Sequence, residues 1–134
     1  MEAIKLSHQL LAAAGSPTTT FAPGEVIFRE GDKADKMYVI LSGELEVHLQ
    51  GMVIDRLTQG GTFGEMALID GSPRSATVVA KTGCELAAIN EKTFVFLADE
   101  MPYFALHTMR NLVERLRRMN EQWLALQPRV LSGS

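Results

Sequence analysis

Phe63-Gly64-Glu65-Met66-Ala67-Leu68-Ile69-Asp70-Gly71-Ser72-Pro73-Arg74-Ser75-Ala76-Thr77 is the stretch on which the reading of this chain turns. Gly64 lets backbone come close to backbone, with no Cβ in the way. Met66 to Ile69 can make one helical turn, whose first N–H groups lack partners inside the helix and point at an anion. Pro73 ends the turn, and Arg74 then supplies a permanently charged fork suited to phosphate oxygens. Glu65, an acceptor when ionised, would repel a phosphate and is better used on a hydroxyl. A ribose beside a phosphate satisfies all of these groups together.

Outward from this stretch, short β-rich pieces alternate with Gly, Pro, Asp and Ser turns between Thr18 and Asn90: Val26–Phe28, Met37–Leu41, Leu45–Leu49, Val53–Leu57, Ala76–Ala80 and Leu86–Ile89. Leu45, Val47 and Leu49 alternate with Glu46 and His48, the period-two pattern of a half-buried strand. Many short strands at regular intervals indicate a sandwich or a barrel, between which periodicity does not choose. A single helical turn at Met66–Ile69 interrupts an otherwise β-rich region, and ligand binding gives that interruption a reason.

FGEMALIDGSPRSATV, together with Phe21-Ala22-Pro23-Gly24-Glu25, Glu30-Gly31-Asp32, Ser42-Gly43-Glu44 and Gly60-Gly61, closely resembles the phosphate-binding cassette and turn glycines of cyclic-nucleotide-binding domains. That family includes regulators of the catabolite activator type, regulatory subunits of protein kinase A and cyclic-nucleotide-gated channels. The resemblance runs from about Thr18 to about Asn120 and implies a mainly β fold, a jelly-roll barrel with an N-terminal helix and C-terminal hinge and lid helices. It implies that Arg74 pairs with the cyclic phosphate and that Glu65 accepts the ribose 2′-hydroxyl. The amides of Ala67 and Leu68 are then expected to face the phosphate, with Gly64 close to the sugar and Phe63 and Met66 in the same cassette. Ser75 either adds a hydroxyl to the phosphate or ends the turn, Ala76 offers backbone contacts, and Thr77 returns the chain to a strand. For the base, aligning Glu114-Arg115-Leu116 on the family's last helix puts Met119 and Asn120 near the purine, with Arg117 as a substitute lid; Met119 reads equally well as a helix-seam residue. Family members that prefer cGMP tend to carry threonine after the arginine, and those that prefer cAMP carry alanine. Ser75 matches neither, while the catabolite activator type has Arg-Ser-Ala and binds cAMP. The expected ligand is therefore cAMP, with cGMP still open.

The 134 residues are expected to form one domain spanning 1–127: an N-terminal helix over 1–15, the barrel over 18–90 with its cassette at 63–77, helices over 91–127, and a tail at 128–134. Hydrophobic residues make up 46% and charged residues 22%, ordinary for a globular chain. A net charge of −3 argues against a nucleic-acid surface over the whole domain. The single cysteine, Cys84, cannot form an internal disulfide and reads as a buried thiol. No apolar run reaches the ~18 residues of a membrane span, and the N-terminus makes a poor signal peptide, so a cytoplasmic location is expected.

Ile4, Leu6, Leu10 and Leu11 share a helical face up to the stop at Gly15-Ser16-Pro17. Asn90 can cap a helix over Glu91–Glu100, and Pro102 suits the first turn of the next. There Met109, Leu112, Leu116, Met119, Trp123 and Leu126 recur at spacings of three and four. This seam serves either self-association into a homodimer or packing onto the same barrel. Arg110, Arg115, Arg117 and Arg118 flank it, Glu114 lies four residues before Arg118, and the charge reads mostly as a solvated face. His8, His48 and His107 have no paired spacing, so no metal site is expected. No Ser or Cys has a base in a recognisable arrangement, which points to a binder and not an enzyme. The sequence thus predicts a cAMP sensor of bacterial style acting on an unidentified effector protein. The alternatives are the excised regulatory domain of a transcription regulator or ion channel, or a structural module of the same fold that binds no nucleotide.

Overall fold

The structure, a computed structural model, describes Leu11 and residues 14–126. Two antiparallel four-stranded sheets pack face to face. One has the order β1 (Thr18–Phe21), β8 (Cys84–Asn90), β3 (Lys36–Ser42), β6 (Thr62–Phe63); the other has β2 (Val26–Phe28), β7 (Thr77–Ala80), β4 (Leu45–Leu49), β5 (Met52–Leu57). Between β6 and β7 stands the one-turn helix α1 (Met66–Ile69), and after β8 come α2 (Glu91–Glu100) and α3 (Pro102–Leu126). This is the expected β fold with flanking helices. The expected N-terminal helix, apart from Leu11, Ala14 and Gly15, lies outside the described residues, as do Gln127 and the tail.

Alternation along β3 explains why the first sheet is covered on both faces. Ile40 packs between the sheets with Leu45, Leu57, Phe63, Val78, Ala80, Cys84 and Leu86, with Tyr38 against them. Met37 and Val39 point the other way, into a second core with Leu11, Ala87, Ile89, Leu97 and Phe104. Each fully buried side chain of this size contributes about 1.5–3 kcal/mol, so the second core holds α2 and the start of α3 firmly on the sheet. Asn90 accepts a hydrogen bond from the Thr93 amide at 2.9 Å, and so caps α2 as its sequence suggested.

Two strands escaped the sequence reading. β1 offers three exposed threonines and only a half-buried Phe21, hence no alternation, and β6 is two residues long. Gln50 and Gly51 join β4 to β5 with φ of 51° and 79°, the paired left-handed geometry that suits a two-residue hairpin.

Candidate functional site

The loop from Gly64 to Ala76 folds back because each of its breaks is held. Gly64 has φ +79°. Glu65 is already in right-handed helical geometry (φ −64°, ψ −26°), so the turn starts one residue earlier than expected. As a result the Ala67 amide bonds to Gly64 O (3.3 Å) and the Leu68 amide to Glu65 O (2.9 Å). Among the described residues the amides at the open head of the turn are those of Glu65 and Met66, while those of Ala67 and Leu68 also bond within the turn. Asp70 then accepts from both the amide (2.9 Å) and the hydroxyl (2.5 Å) of Ser72, which holds the reversal before Pro73. The Ser72 hydroxyl, and then its amide, push the Asp70 carboxyl below its usual value.

Arg74 is locked at its backbone: its N–H donates to Asp32 O (2.9 Å) and its carbonyl accepts from the Gly31 amide (2.8 Å). Its side chain runs inward and is only 7% exposed. Nη2 donates to Lys36 O at 2.8 Å and Nη1 to Gly64 O at 3.2 Å, while the guanidinium carbon lies 4.0 Å from the centre of the Phe28 ring. Among the described residues no carboxylate pairs with it, and its Nε has no hydrogen-bond partner. Burial lowers its pKa, against the charges of Tyr38, Asp35 and Asp32, but a guanidinium stays ionised in a protein. A buried cation without a counter-charge is costly unless an anion completes the site.

Glu65 is 3% exposed. Its Oε2 accepts from Thr62 Oγ1 at 3.4 Å; its Oε1 lies 3.5 Å from Arg115 Nη1 and makes no hydrogen bond. Arg115 reaches in from α3, donates through Nη2 to Thr62 O, and leaves its Nε unpaired 3.9 Å from Asp55 Oδ2. All three residues border one cavity of about 460 Å³ between the second sheet, the α1 loop and α3. That size falls within the ordinary range for small-molecule sites.

Of the residues expected in the site, Phe63, Gly64, Glu65, Met66, Ala67, Arg74, Ser75, Ala76 and Met119 line this cavity. Leu68 does not; it packs against the second core. The Thr77 hydroxyl accepts from the Glu30 amide at 3.0 Å and holds a loop instead. Asn120 and Arg117 are exposed and away from the cavity, because each step along a helix turns about 100° from the Met119 face. Arg115, Gln122, Trp123, Asp55 and Phe28 border it and were not anticipated there. Gln122 and Trp123 lie three and four residues beyond Met119, so extending that face along the helix was the available signal. Arg118 pairs with Asp55 (3.0 Å) on the exposed side of α3, whereas Arg115 turns inward toward Glu65 and leaves the solvated face. Of the histidines, His48 lies beside Glu46 (3.2 Å) and His107 Nε2 contacts Gly60 O (2.6 Å). No described helix is long and apolar enough to cross a membrane.

The family model for the cyclic nucleotide-binding domain matches residues 18–100. Among solved structures, the catabolite activator protein of Thermus thermophilus is 29% identical with a TM-score of 0.70, the match covering 90% of this chain and 60% of that one. The N-terminal domain of a Streptomyces coelicolor transcriptional regulator is 28% identical (TM-score 0.59), with 88% and 87% covered. The regulatory domain of Toxoplasma gondii PKA, solved with cAMP, is 29% identical (TM-score 0.56), with 66% and 36% covered. The chain thus spans less than two thirds of the Thermus chain and little more than a third of the Toxoplasma chain.

Proposed function

This chain belongs to the cyclic nucleotide-binding domain family, and from that we propose that it binds a cyclic purine nucleotide, cAMP foremost, and acts as a sensor. One observation carries the reading. Among the described residues the buried side-chain polar atoms without a hydrogen bond are Glu65 Oε1, Arg74 Nε and Arg115 Nε, and all three belong to residues around the same cavity. Buried polar groups are ordinarily satisfied, so three such orphans on one cavity support a ligand with an anion at one end and a hydroxyl at the other. The cyclic phosphate meets Arg74 and the open amides of Glu65 and Met66. The ribose 2′-hydroxyl donates to Glu65 Oε1 and accepts from Arg115. The purine lies toward Met119 and Trp123 of α3.

Because the sugar end joins the α1 loop to α3, ligand binding favours the closed position of α3. The equilibrium shifts by the ligand's differential affinity for that position, typically ~1–3 kcal/mol. The exposed Met109, Val113 and Leu116 of α3 suit a homodimer through that helix, from which an effector protein reads the change. A second reading, the sensory part of a longer regulator, is favoured by the 87% coverage of the Streptomyces N-terminal domain against 60% of the Thermus chain.

Calorimetric titration with cAMP, cGMP and a cyclic dinucleotide tests the proposal. Saturable 1:1 binding of cAMP, tighter than the others, is expected; heat from none of the three overturns it.

A further inference from the structure

Asp55 has no role in the site as described so far, yet it stands where β5 meets α3. Its Oδ1 accepts from the Arg56 amide at 2.9 Å, which sets the orientation of the carboxylate. Its Oδ2 takes Arg118 Nη2 at 3.0 Å and lies 3.9 Å from Arg115 Nε. Arg115 and Arg118 are three residues apart and therefore share a face of α3. Arg115 in turn stands between two carboxylates on separate segments of the barrel: Asp55 at 3.9 Å and Glu65 Oε1 at 3.5 Å, neither close enough for a hydrogen bond. A guanidinium held by Thr62 O through Nη2 and drawn by both carboxylates leaves Glu65 Oε1 free. One drawn from the Glu65 side alone closes that gap and occupies the acceptor.

We infer that Asp55 is a positioning residue: by pulling Arg115 and Arg118 toward β5 it seats α3 over the cavity and keeps the Glu65 carboxylate open for the sugar hydroxyl of the ligand. The inference rests on the nucleotide-binding reading above and adds a control on sugar recognition that lies outside the cassette. Without the Asp55 charge, Arg115 collapses onto Glu65, and a ligand hydroxyl must displace it to be read.

The test compares cAMP with 2′-deoxy-cAMP on the whole chain. The unsubstituted protein is expected to prefer cAMP about tenfold or more, the scale of one hydrogen bond to a charged group. Asp55→Asn, which keeps the shape and removes the charge, lowers that ratio about threefold or more, a size usual for coupled neighbours. Asp55→Glu keeps the ratio. Arg118→Gln loosens α3 but leaves Asp55 to Arg115, so both ligands dissociate faster by the same factor and the ratio holds. Thermal melts of the unliganded variants check that each is folded, and Arg118→Gln, at a half-exposed residue, keeps the test available if Asp55→Asn does not fold. Equal losses for both ligands in Asp55→Asn, or a fall of the ratio in Arg118→Gln, overturn the inference alone. Equal affinity of the unsubstituted chain for the two ligands overturns the sugar role of Glu65 and this inference with it. Failure of that chain to bind either one overturns the nucleotide reading itself.

Discussion

Arg74 Nη1 donates to the carbonyl of Gly64 at 3.2 Å, and a Cβ built on Gly64 stands 2.6 Å from that same nitrogen. The glycine thus serves twice, through its positive φ and through the room it leaves for the Arg74 guanidinium. Gly64→Ala is expected to cost about 1–2 kcal/mol of stability from the left-handed backbone alone. It also displaces Arg74 from its two carbonyls, so cAMP affinity falls at least about tenfold. Denaturant titration and calorimetry on the same sample separate the two losses; an unchanged affinity rules out the close approach as functional.

Arg74 itself is buried without a counter-charge, so its removal separates binding from folding. Arg74→Met is expected to weaken nucleotide binding by about 2–4 kcal/mol, the range of charge-assisted hydrogen bonds in a dry site. The unliganded melting temperature should shift little or rise, since an apolar chain of similar length replaces a desolvated cation. Retained affinity in this variant ends the phosphate assignment.

Trp123 borders the cavity while 60% exposed, so its ring contributes little to the fold before a ligand arrives. Trp123→Ala should cost about 1–3 kcal/mol of binding, as stacking on a base does, with no change in melting. Asn120→Ala and Arg117→Ala should bind as the parent does. The intrinsic fluorescence of the single tryptophan, followed during titration, reports directly whether a purine reaches it.

Met109, Val113 and Leu116 are 55%, 44% and 57% exposed on α3. In sedimentation experiments the parent chain is expected as a dimer, and the triple replacement by serine as a folded monomer. A monomeric parent at high concentration excludes this use of the helix.

Cys84 is buried on β8, and burial first, then the charge of Glu25, raises its thiol pKa above the ordinary 9.0. The folded state therefore holds its proton more tightly than the unfolded chain. The contribution to stability is complete below about pH 9 and is lost as pH climbs through the raised folded value. At pH 8 a thiol reagent should react slowly with the native protein and promptly in denaturant. Equal rates contradict a protected thiol.

Much of this architecture was legible along the chain. Alternation announced β4 and β-rich pieces between turns announced the other strands from Val26 to Leu57, the Asn90 cap and Pro102 placed the two helix starts, and Gly64, Pro73 and Arg74 marked the loop. β1 was hidden because three threonines at an edge show no alternation, and β6 because two residues carry no period. Leu68 and Thr77 sit in the cassette stretch yet serve the core and a neighbouring loop. Helix phase, and not residue type, separates Met119 from Asn120 at the cavity.

By itself the sequence determined most of the strands, where the backbone must turn, and which residues have the chemistry for a phosphate and a hydroxyl. Those properties depend on neighbours a few positions away. Only the tertiary structure decided that the Arg74 guanidinium enters the interior unpaired, and that Arg115, fifty positions after Glu65, meets it with Asp55 on the far side. A helix's periodicity specifies the face it presents but not what the barrel offers opposite. The balance of charges around Arg115 arises only when α3 docks.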